Sequence, residues 1–348
     1  MMPRGKRFVL KESELEEHKK KSSFGHWVLV KECDENRRKN NSESSKAGCC
    51  SRKTPQGFAA KNITQILNGA TEGFLNVSGK GYLHVNGENF TGELFDRINT
   101  VNADDNQLRI ATFNTFKSLR RLSLRRNRLK SVDQIGRHLD ETLVRLDVSE
   151  NNLNPYDLYR LSASKIKELH LSANNLTTIP EEILDDHCFL SLELLNLSDN
   201  CLACPQTFYI LSTLHNLHEL NLSGNQISFI PYLVTLATKK SLDIENISGK
   251  NKKTINHKKE TDGFTKHQNE DNTNSFVYHV QHIPFVSLKA INLTNNLITS
   301  SSSVLSMICW PSLKNVILTA NIISSNKNIL KYNKLKSTLS VYEIKLTR

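Results

Sequence analysis

Apolar residues recur at fixed positions within short strings along this chain. In LRRLSLRRNRL, which starts at Leu119, leucine occupies the first, fourth, sixth and eleventh positions, and asparagine occupies the ninth. The fourth and sixth residues are two apart, so their side chains face the same side of an extended chain. The string therefore predicts a short strand with one buried face, followed by a polar turn.

The same string recurs in seven clear copies and one weaker copy. Neighbouring copies lie 21 to 26 residues apart, except for one step of 71 residues. This string and period are typical of the leucine-rich repeat, in which stacked repeats bury a core that no single repeat can form. We therefore predict an α/β leucine-rich repeat solenoid of about eight repeats, with a curved parallel sheet and short helical or irregular convex segments. The copies start at Ile98 (the weaker one), Leu119, Leu143, Ile166, Leu192, Leu217, Leu288 and Leu313.

The ninth position of every clear copy is asparagine. Its amide both donates and accepts hydrogen bonds, so stacked copies can bond the backbone groups that are freed where each strand ends. We expect these residues to form a structural ladder of turns rather than a binding site. The asparagine ladder comprises Asn127, Asn151, Asn174, Asn200, Asn225, Asn296 and Asn321.

The residues beside the buried fourth and sixth positions are predicted to face outward, on the concave side of the sheet. Large aromatic residues, which are frequent hot spots of protein interfaces, are absent from these positions. We interpret His170 as a solvated residue of this face rather than as a ligand. The candidate protein-binding residues are Arg121, Ser123, Arg125, Arg145, Asp147, Glu168, His170, Leu194, Asn196, Glu219 and Asn221.

Arginines are concentrated in the first clear copy, where Arg121 and Arg125 stand beside Arg145 of the next copy. Guanidinium groups in such a patch can pair with an acidic protein surface or with phosphates. The alternative is that they only solubilise the exposed first repeats. The predicted ligand is therefore an unidentified protein partner, which would be acidic if this patch binds it.

The composition between the repeats indicates five regions. We divide the chain into a polar, basic N-terminal arm (1–70), a capping region with the first repeat block (71–234), a mostly disordered insertion (235–285), the last two repeats (286–325) and a basic C-terminal capping tail (326–348). The insertion is predicted because Lys239–Asn274 contains few aliphatic residues. GHWVLV at 25–30 is a candidate docking strand, because its tryptophan and aliphatic residues favour burial within a polar arm.

Bulk properties favour an intracellular protein without a membrane anchor. No apolar run approaches the ~18 residues that a membrane-spanning helix needs, and the N-terminus lacks the apolar core of a signal peptide. Seven cysteines, an odd number, are expected to be reduced thiols. Cys201 and Cys204 have the spacing of a metal or redox pair, but no second pair accompanies them, and a structural interpretation is favoured. We therefore expect a cytoplasmic or nuclear location, without metal or cofactor.

Three other functions have less support in the sequence. A net charge of +11 and a pI near 9.2 suit nucleic-acid binding, but no recognised module or aromatic interleaving supports it, so nucleic acid is not the expected partner. An axonemal or cytoskeletal role is a rival within the scaffold class. No Ser/His/Asp set, paired carboxylates or glycine-rich phosphate loop stands in a plausible context, so no catalytic residue is predicted.

The order of features resembles the X-ray radiation resistance-associated protein family, an intracellular group with leucine-rich repeats. The likeness extends from about Gly25 to Ile323, and it depends on GHWVLV at 25–30, LHELNLSGNQISFIPYL at 217–233 before the long insertion, and Trp310-Pro-Ser-Leu before the last repeat. The resemblance implies a cytoplasmic and nuclear scaffold with a part in the cellular response to radiation and no enzymatic activity. Members of that family commonly continue well beyond their last repeat, whereas this sequence ends at Arg348.

Overall fold

The computed structural model describes residues 73–82, 96–133, 135–235, 264–268, 274–280 and 282–348. Ten strands in these ranges form one sheet, in which every pair of hydrogen-bonded neighbours is parallel. They follow one another in chain order, with three further strands inserted after the seventh. The sheet contains β1 (Phe74–Asn76), β2 (Thr100–Asn102), β3 (Arg121–Ser123), β4 (Arg145–Asp147), β5 (Glu168–His170), β6 (Leu194–Asn196), β7 (Glu219–Asn221), β11 (Ala290–Asn292), β12 (Asn315–Ile317) and β13 (Lys345–Thr347).

Each of the eight predicted copies supplies one strand of this sheet, from β2 to β7 and then β11 and β12. The α/β leucine-rich repeat solenoid is therefore confirmed. The strands β1 and β13 extend the sheet at its two ends, pairing with β2 and β12. Neither end strand was predicted, because neither carries the complete string.

The core lies behind the sheet and is built from the repeated apolar positions. Leu169 and Leu171, the fourth and sixth residues of their copy, are completely or almost completely buried. Short helices on the other side of the core close most of the repeats, as the spacing between copies predicted. They are α1 (Arg137–Thr142), α2 (Tyr156–Leu161), α3 (Gln206–Leu211), α4 (Ser301–Leu305) and 3-10 helices at Ile110–Phe113, Glu181–Leu184, Ser306–Cys309 and Asn326–Asn328.

The last helix, α5 (Ile329–Val341), covers the C-terminal end of the core together with β13. Its buried residues are Tyr332, Leu335 and Leu339, spaced three and four apart as on one face of a helix. Leu330 on its other side is 82% exposed. The tail therefore has the form of a cap with one apolar face.

The residue before each ladder asparagine adopts the left-handed backbone conformation in all eight copies. Glycine occupies this position once, at Gly224 with φ +66°, and its missing Cβ would lie 2.2 Å from Asp199 Oδ1. A left-handed residue reverses the chain sharply after the strand, and it costs non-glycine residues about 1–2 kcal/mol. The eight residues are Asp105, Arg126, Glu150, Ala173, Asp199, Gly224, Asn295 and Ala320.

Part of the predicted insertion is structured. The strands β8 (Tyr232–Thr235), β9 (Phe264–Gln268) and β10 (Asn274–Val280) form a second sheet, in which β10 runs parallel to β8 and antiparallel to β9. Tyr278 of β10 is buried and stacks on Tyr209 of α3, with ring centroids 5.3 Å apart. Two strands, β9 and β10, thus lie within the segment predicted to be mostly disordered, and Tyr278 and Val280 of β10 are buried in the repeat core.

Several predictions fall on residues that the structure does not describe. The arm 1–70, with its candidate docking strand at 25–30, and residues 236–263 of the insertion lie outside the described ranges. The boundaries between the five predicted regions stay a prediction.

Candidate protein-binding surface

The outer face is the side of the sheet away from the core, which the sequence predicted to be concave. The third residues of the strings align from strand to strand in the pairing register. Arg121 lies opposite Arg145, and Arg145 lies opposite Glu168. Leu194 and Glu219 continue the row on β6 and β7. From β2 to β13 the row reads Thr100, Arg121, Arg145, Glu168, Leu194, Glu219, Ala290, Asn315 and Lys345.

The fifth residues form a second row, which holds the strand ends together. Asn196 Oδ1 accepts the backbone N–H of Ser198 at 3.1 Å, and Asn221 Oδ1 accepts that of Ser223 at 3.0 Å. Asp147 makes the same contact with Ser149. Asn196 and Asn221 are 1% and 5% exposed, and these contacts close local turns on the outer side of the strands. Their expected role as binding residues stays a prediction.

The ladder asparagines bond the backbone on both sides of their own turn. Asn200 Nδ2 donates to the carbonyl oxygens of Leu171 and Leu197, both at 3.0 Å. Its Oδ1 accepts the N–H groups of Asn174 and Leu176, at 3.0 and 2.9 Å. Asn106 of the weaker copy is an additional member, donating to Val77 and Ala103 at 3.0 Å.

Most arginines of the predicted cationic patch already have acidic partners. Glu150 accepts hydrogen bonds from the guanidinium groups of both Arg125 and Arg126, and the Arg126 Nε–Glu150 Oε2 distance is 2.5 Å. Burial raises the pKa of Glu150, but these two hydrogen bonds outweigh it and place the pKa below its usual value. Arg145 pairs with Glu168 at 2.9 Å. The sequence pattern did not identify Glu150 as a residue of this surface, because it stands at the eighth position of its string, outside the strand.

Arg121 differs from these arginines. Within the described residues it makes no ion pair, and its side chain is exposed. It lines a shallow cleft of about 310 Å³, together with Ser123, Arg145 and Asp147. The structure thus brings these four predicted site residues together, but a single guanidinium among them is uncompensated.

Three carboxylates on or just beyond the strands β4 to β7 also form no ion pair among the residues with described positions: Asp147, Asp199 and Glu219. Burial, together with the nearby charge of Glu150, raises the pKa of Asp199, although a hydrogen bond from Ser198 opposes this. A raised pKa means that the ionised carboxylate is less stable here than in water. This part of the surface therefore has more negative than positive charge.

His170 and Asn196 lie opposite each other on β5 and β6. Among the residues that the structure describes, the buried Nε2 of His170 and the buried Nδ2 of Asn196 have no hydrogen-bond partner. Burial lowers the pKa of His170, so its imidazole is neutral at pH 7. The interpretation of His170 as a solvated residue is therefore corrected.

The remaining candidate chemistry lies elsewhere. Cys201 is half-buried and Cys204 is exposed, and both are free thiols. Across the ranges given above, no three His, Cys, Asp or Glu side chains are placed to hold a metal ion. None of the helices in those ranges has the length and apolar character required to cross a bilayer.

Comparison with known proteins supports the repeat, although the family model matches a short part of the chain. The family model described as Leucine Rich Repeat matches residues 216–236. The chain is 31% identical over 176 residues to X-ray radiation resistance-associated protein 1 of Mus musculus, covering 46% of this chain and 22% of that protein. It is also 26% identical over 185 residues to human oligodendrocyte-myelin glycoprotein, covering 53% and 40%.

A third relative is tubulin-folding cofactor E of Arabidopsis thaliana, 41% identical over 75 residues, which covers 21% of this chain and 14% of that protein. The chain thus spans well under half the length of these curated relatives. Among solved structures, an internalin from Listeria monocytogenes is similar with 17% identity and a TM-score of 0.44, covering 83% of this chain and 74% of that chain.

Proposed function

We propose that this protein is a non-enzymatic scaffold that binds a partner protein on the outer face of its repeat sheet. The observation that carries the proposal is the contrast between the two sides of β3 to β7. Leu195 and Leu220 are completely buried on the core side, whereas Arg121, Glu168 and Leu194 remain accessible on the outer side. A rigid sheet that presents polar and apolar groups in register is suited to binding an extended surface.

Leu194 supplies the apolar contact that such a surface needs. It stands between Glu168 and Glu219 in the third row and is half-buried. Apolar contacts at the centre of a charged rim provide much of the affinity of protein interfaces. The partner was expected to be acidic because of the arginines on this face. Since Arg125 and Arg145 are paired with carboxylates of the protein, that expectation now depends on Arg121 alone.

The proposal is tested by affinity capture of the full chain from its native cells, with quantitative mass spectrometry. Leu194→Arg places a bulky charge at the centre of the outer face and should reduce the yield of specific partners by about tenfold, which corresponds to about 1.4 kcal/mol. Leu190→Arg is the matched control, because Leu190 precedes β6 and is already 63% exposed. Equal yields from both variants and the unaltered chain would contradict the proposal.

A role in the cellular response to X-ray radiation is the finer form of this proposal. It is supported by the 31% identity to X-ray radiation resistance-associated protein 1, over less than half of the chain. A cytoplasmic or nuclear location would suit such a role. Depletion of the protein should then reduce cell survival after irradiation, and re-expression of the unaltered chain, but not of Leu194→Arg, should restore it.

A cytoskeletal role is the second candidate. It is supported by the 41% identity over 75 residues to tubulin-folding cofactor E. Purified tubulin should then co-elute with the full chain in size-exclusion chromatography. Separate elution across a concentration series would remove this candidate and leave the scaffold proposal unaffected.

A further inference from the structure

The outer face between β4 and β7 has the features of a site for a basic peptide. We infer that it binds an extended segment of a partner protein in which two Lys or Arg residues lie four positions apart, with a small polar residue midway between them. This inference rests on the proposed function, and it names the chemistry of the partner. The central patch is defined by Asp147, His170, Asn196 and Glu219.

The two ends of the central patch are negatively charged. Asp147 on β4 and Glu219 on β7 make no ion pair with any described residue. Two arginines near Asp147 are paired with other carboxylates: Arg145 with Glu168 and Arg125 with Glu150, although Arg125 also attracts Asp147 electrostatically. An incoming cationic side chain therefore finds two carboxylates that form no ion pair within the described ranges.

The middle of the central patch contains polar atoms that lack partners. Asn196 is 1% exposed, and its neighbours Leu195 and Leu197 point into the core, so its side chain faces the outer side. Its buried Nδ2 donates to no acceptor in the described part of the chain, and the buried Nε2 of His170 beside it also has no partner there. Leaving a buried polar group unpaired costs about 1–3 kcal/mol. A serine or threonine hydroxyl both accepts and donates hydrogen bonds. It can accept one from Asn196 Nδ2 and donate one to the ring nitrogen of His170 once the imidazole turns about its Cβ–Cγ bond.

The spacing of the patch sets the spacing of the ligand. Asp147 and Glu219 are on strands three apart and are offset by two residues along the strands. With strands ~4.8 Å apart and a rise of about 3.3 Å per residue, this corresponds to about 14 Å across the strands and about 7 Å along them, or about 16 Å in all. An extended chain that crosses the strands diagonally covers about 13 Å in four residues. Residues i, i+2 and i+4 of such a chain point the same way. The long side chains of two basic residues at i and i+4 span the remaining distance of about 3 Å to the carboxylates, and residue i+2 lies over His170 and Asn196.

The apolar part of the surface also fits a basic side chain of the ligand. Leu194 lies in the third row, directly between Glu168 and Glu219. The methylene groups of a Lys or Arg that reaches Glu219 can pack on this leucine while the charged end meets the carboxylate. Asp199, just beyond β6, adds to the negative potential of this end of the patch.

The test uses the full chain and a fluorescein-labelled seven-residue peptide with arginine at its second and sixth positions, serine at its fourth and glycine or alanine elsewhere. Binding is measured by fluorescence anisotropy at low and high salt. Asp147→Asn and Glu219→Gln remove the two charges without changing shape. Asn also occupies the equivalent position of Asp147 in β6 and β7, so the turn contact is retained. Glu141→Gln, an exposed carboxylate on α1, is the matched control.

We expect each charge removal to weaken peptide binding about two- to fivefold, as for exposed ion pairs, and the double variant to lose roughly the product of the two. A peptide with arginines at the second and fifth positions should bind more weakly, and one with glutamates should not bind. Equal affinity of the unaltered chain and the double variant, or absence of binding to the unaltered chain, would overturn the inference.

This failure is distinguishable from failure of the proposed function. If partner capture is lost in Leu194→Arg but unchanged in the double variant, the outer face binds a partner of different chemistry, and the inference is overturned alone. If Leu194→Arg also leaves capture unchanged, the proposed function fails with it.

Discussion

Asn200 accepts the backbone N–H of Asn174 on its Oδ1 at 3.0 Å, so one ladder asparagine holds the backbone of the ladder asparagine in the preceding repeat. The same relationship joins Asn151 to Asn127 at 2.9 Å. Since each such side chain also donates to two or three carbonyl oxygens, adjacent turns cannot separate without leaving buried polar groups unpaired. The stacking of repeats is therefore stabilised by polar contacts as well as by the leucine core.

Asn200→Ala should destabilise the protein strongly. It leaves the N–H groups of Asn174 and Leu176 and the carbonyl of Leu171 without their side-chain partner, and each buried unpaired group costs about 1–3 kcal/mol. The free energy of unfolding is measured by urea titration followed by circular dichroism. Asn152→Ala is the control, because Asn152 is exposed and adjacent to a ladder residue. Similar losses in the two variants would contradict the assigned role of the ladder.

Gly224→Ala should destabilise the repeat turn by more than the cost of a left-handed alanine, about 1–2 kcal/mol. The added Cβ would lie 2.2 Å from Asp199 Oδ1, so the carboxylate must move. Asp199→Ala in the same chain removes that contact and should recover part of the loss. A double-mutant cycle from thermal melts measures this coupling, and strictly additive effects would show that Asp199 does not constrain Gly224.

Tyr278→Ala should show whether the inserted sheet is coupled to the repeats. Tyr278 is 7% exposed and stacks on Tyr209, and truncation of a buried aromatic residue typically costs about 3–5 kcal/mol. Tyr342→Ala is the matched control, since Tyr342 is 54% exposed. We expect a clear loss of unfolding free energy for Tyr278→Ala alone. An unchanged denaturation midpoint would mean that the inserted strands are only loosely attached.

Stability should fall as the pH is lowered below about 6.5, partly because of His282. Burial, and then the adjacent His215 with ring centroids 5.4 Å away, lower the pKa of His282, although Ser212 and Asp186 oppose this shift. The unfolded chain therefore takes up a proton at higher pH than the folded chain, near the usual histidine pKa of about 6.5, which favours unfolding below that pH. His282→Gln should reduce the difference in unfolding free energy between pH 7.5 and pH 5.5. If this difference is the same in His282→Gln as in the unaltered chain, His282 is not a cause of the pH dependence.

The fold was predictable because each repeat carries its own strand and turn signals. The end strands β1 and β13 were not predicted, since neither carries the complete string. Leu75 and Val77, or Ile344 and Leu346, still show the alternation of buried residues. In the string that contains β1, Lys80 stands at the position of the ladder asparagine.

The surface was less predictable than the fold. A polar residue at the fifth position can face a ligand or close its own turn, and the sequence pattern of Asn196 is compatible with both. The partner of Arg125 was also hidden, since Glu150 follows β4 at a left-handed position and reaches back to the preceding repeat. The net charge of a repeat surface therefore depends on ion pairs between residues about one repeat apart. The pattern within a single repeat does not show which residues form these pairs.

Site-specific photo-cross-linking tests the central claim most directly, namely that the outer face of the sheet binds a partner protein. A photoreactive benzoyl-phenylalanine is incorporated at Leu194 on β6, and in a second sample at Leu190 before that strand. Both samples are irradiated in the native cells, and cross-linked proteins are identified by mass spectrometry. The account predicts a specific cross-linked protein from position 194 that is absent from position 190. Identical cross-linked products from both positions, or none from position 194, would contradict it.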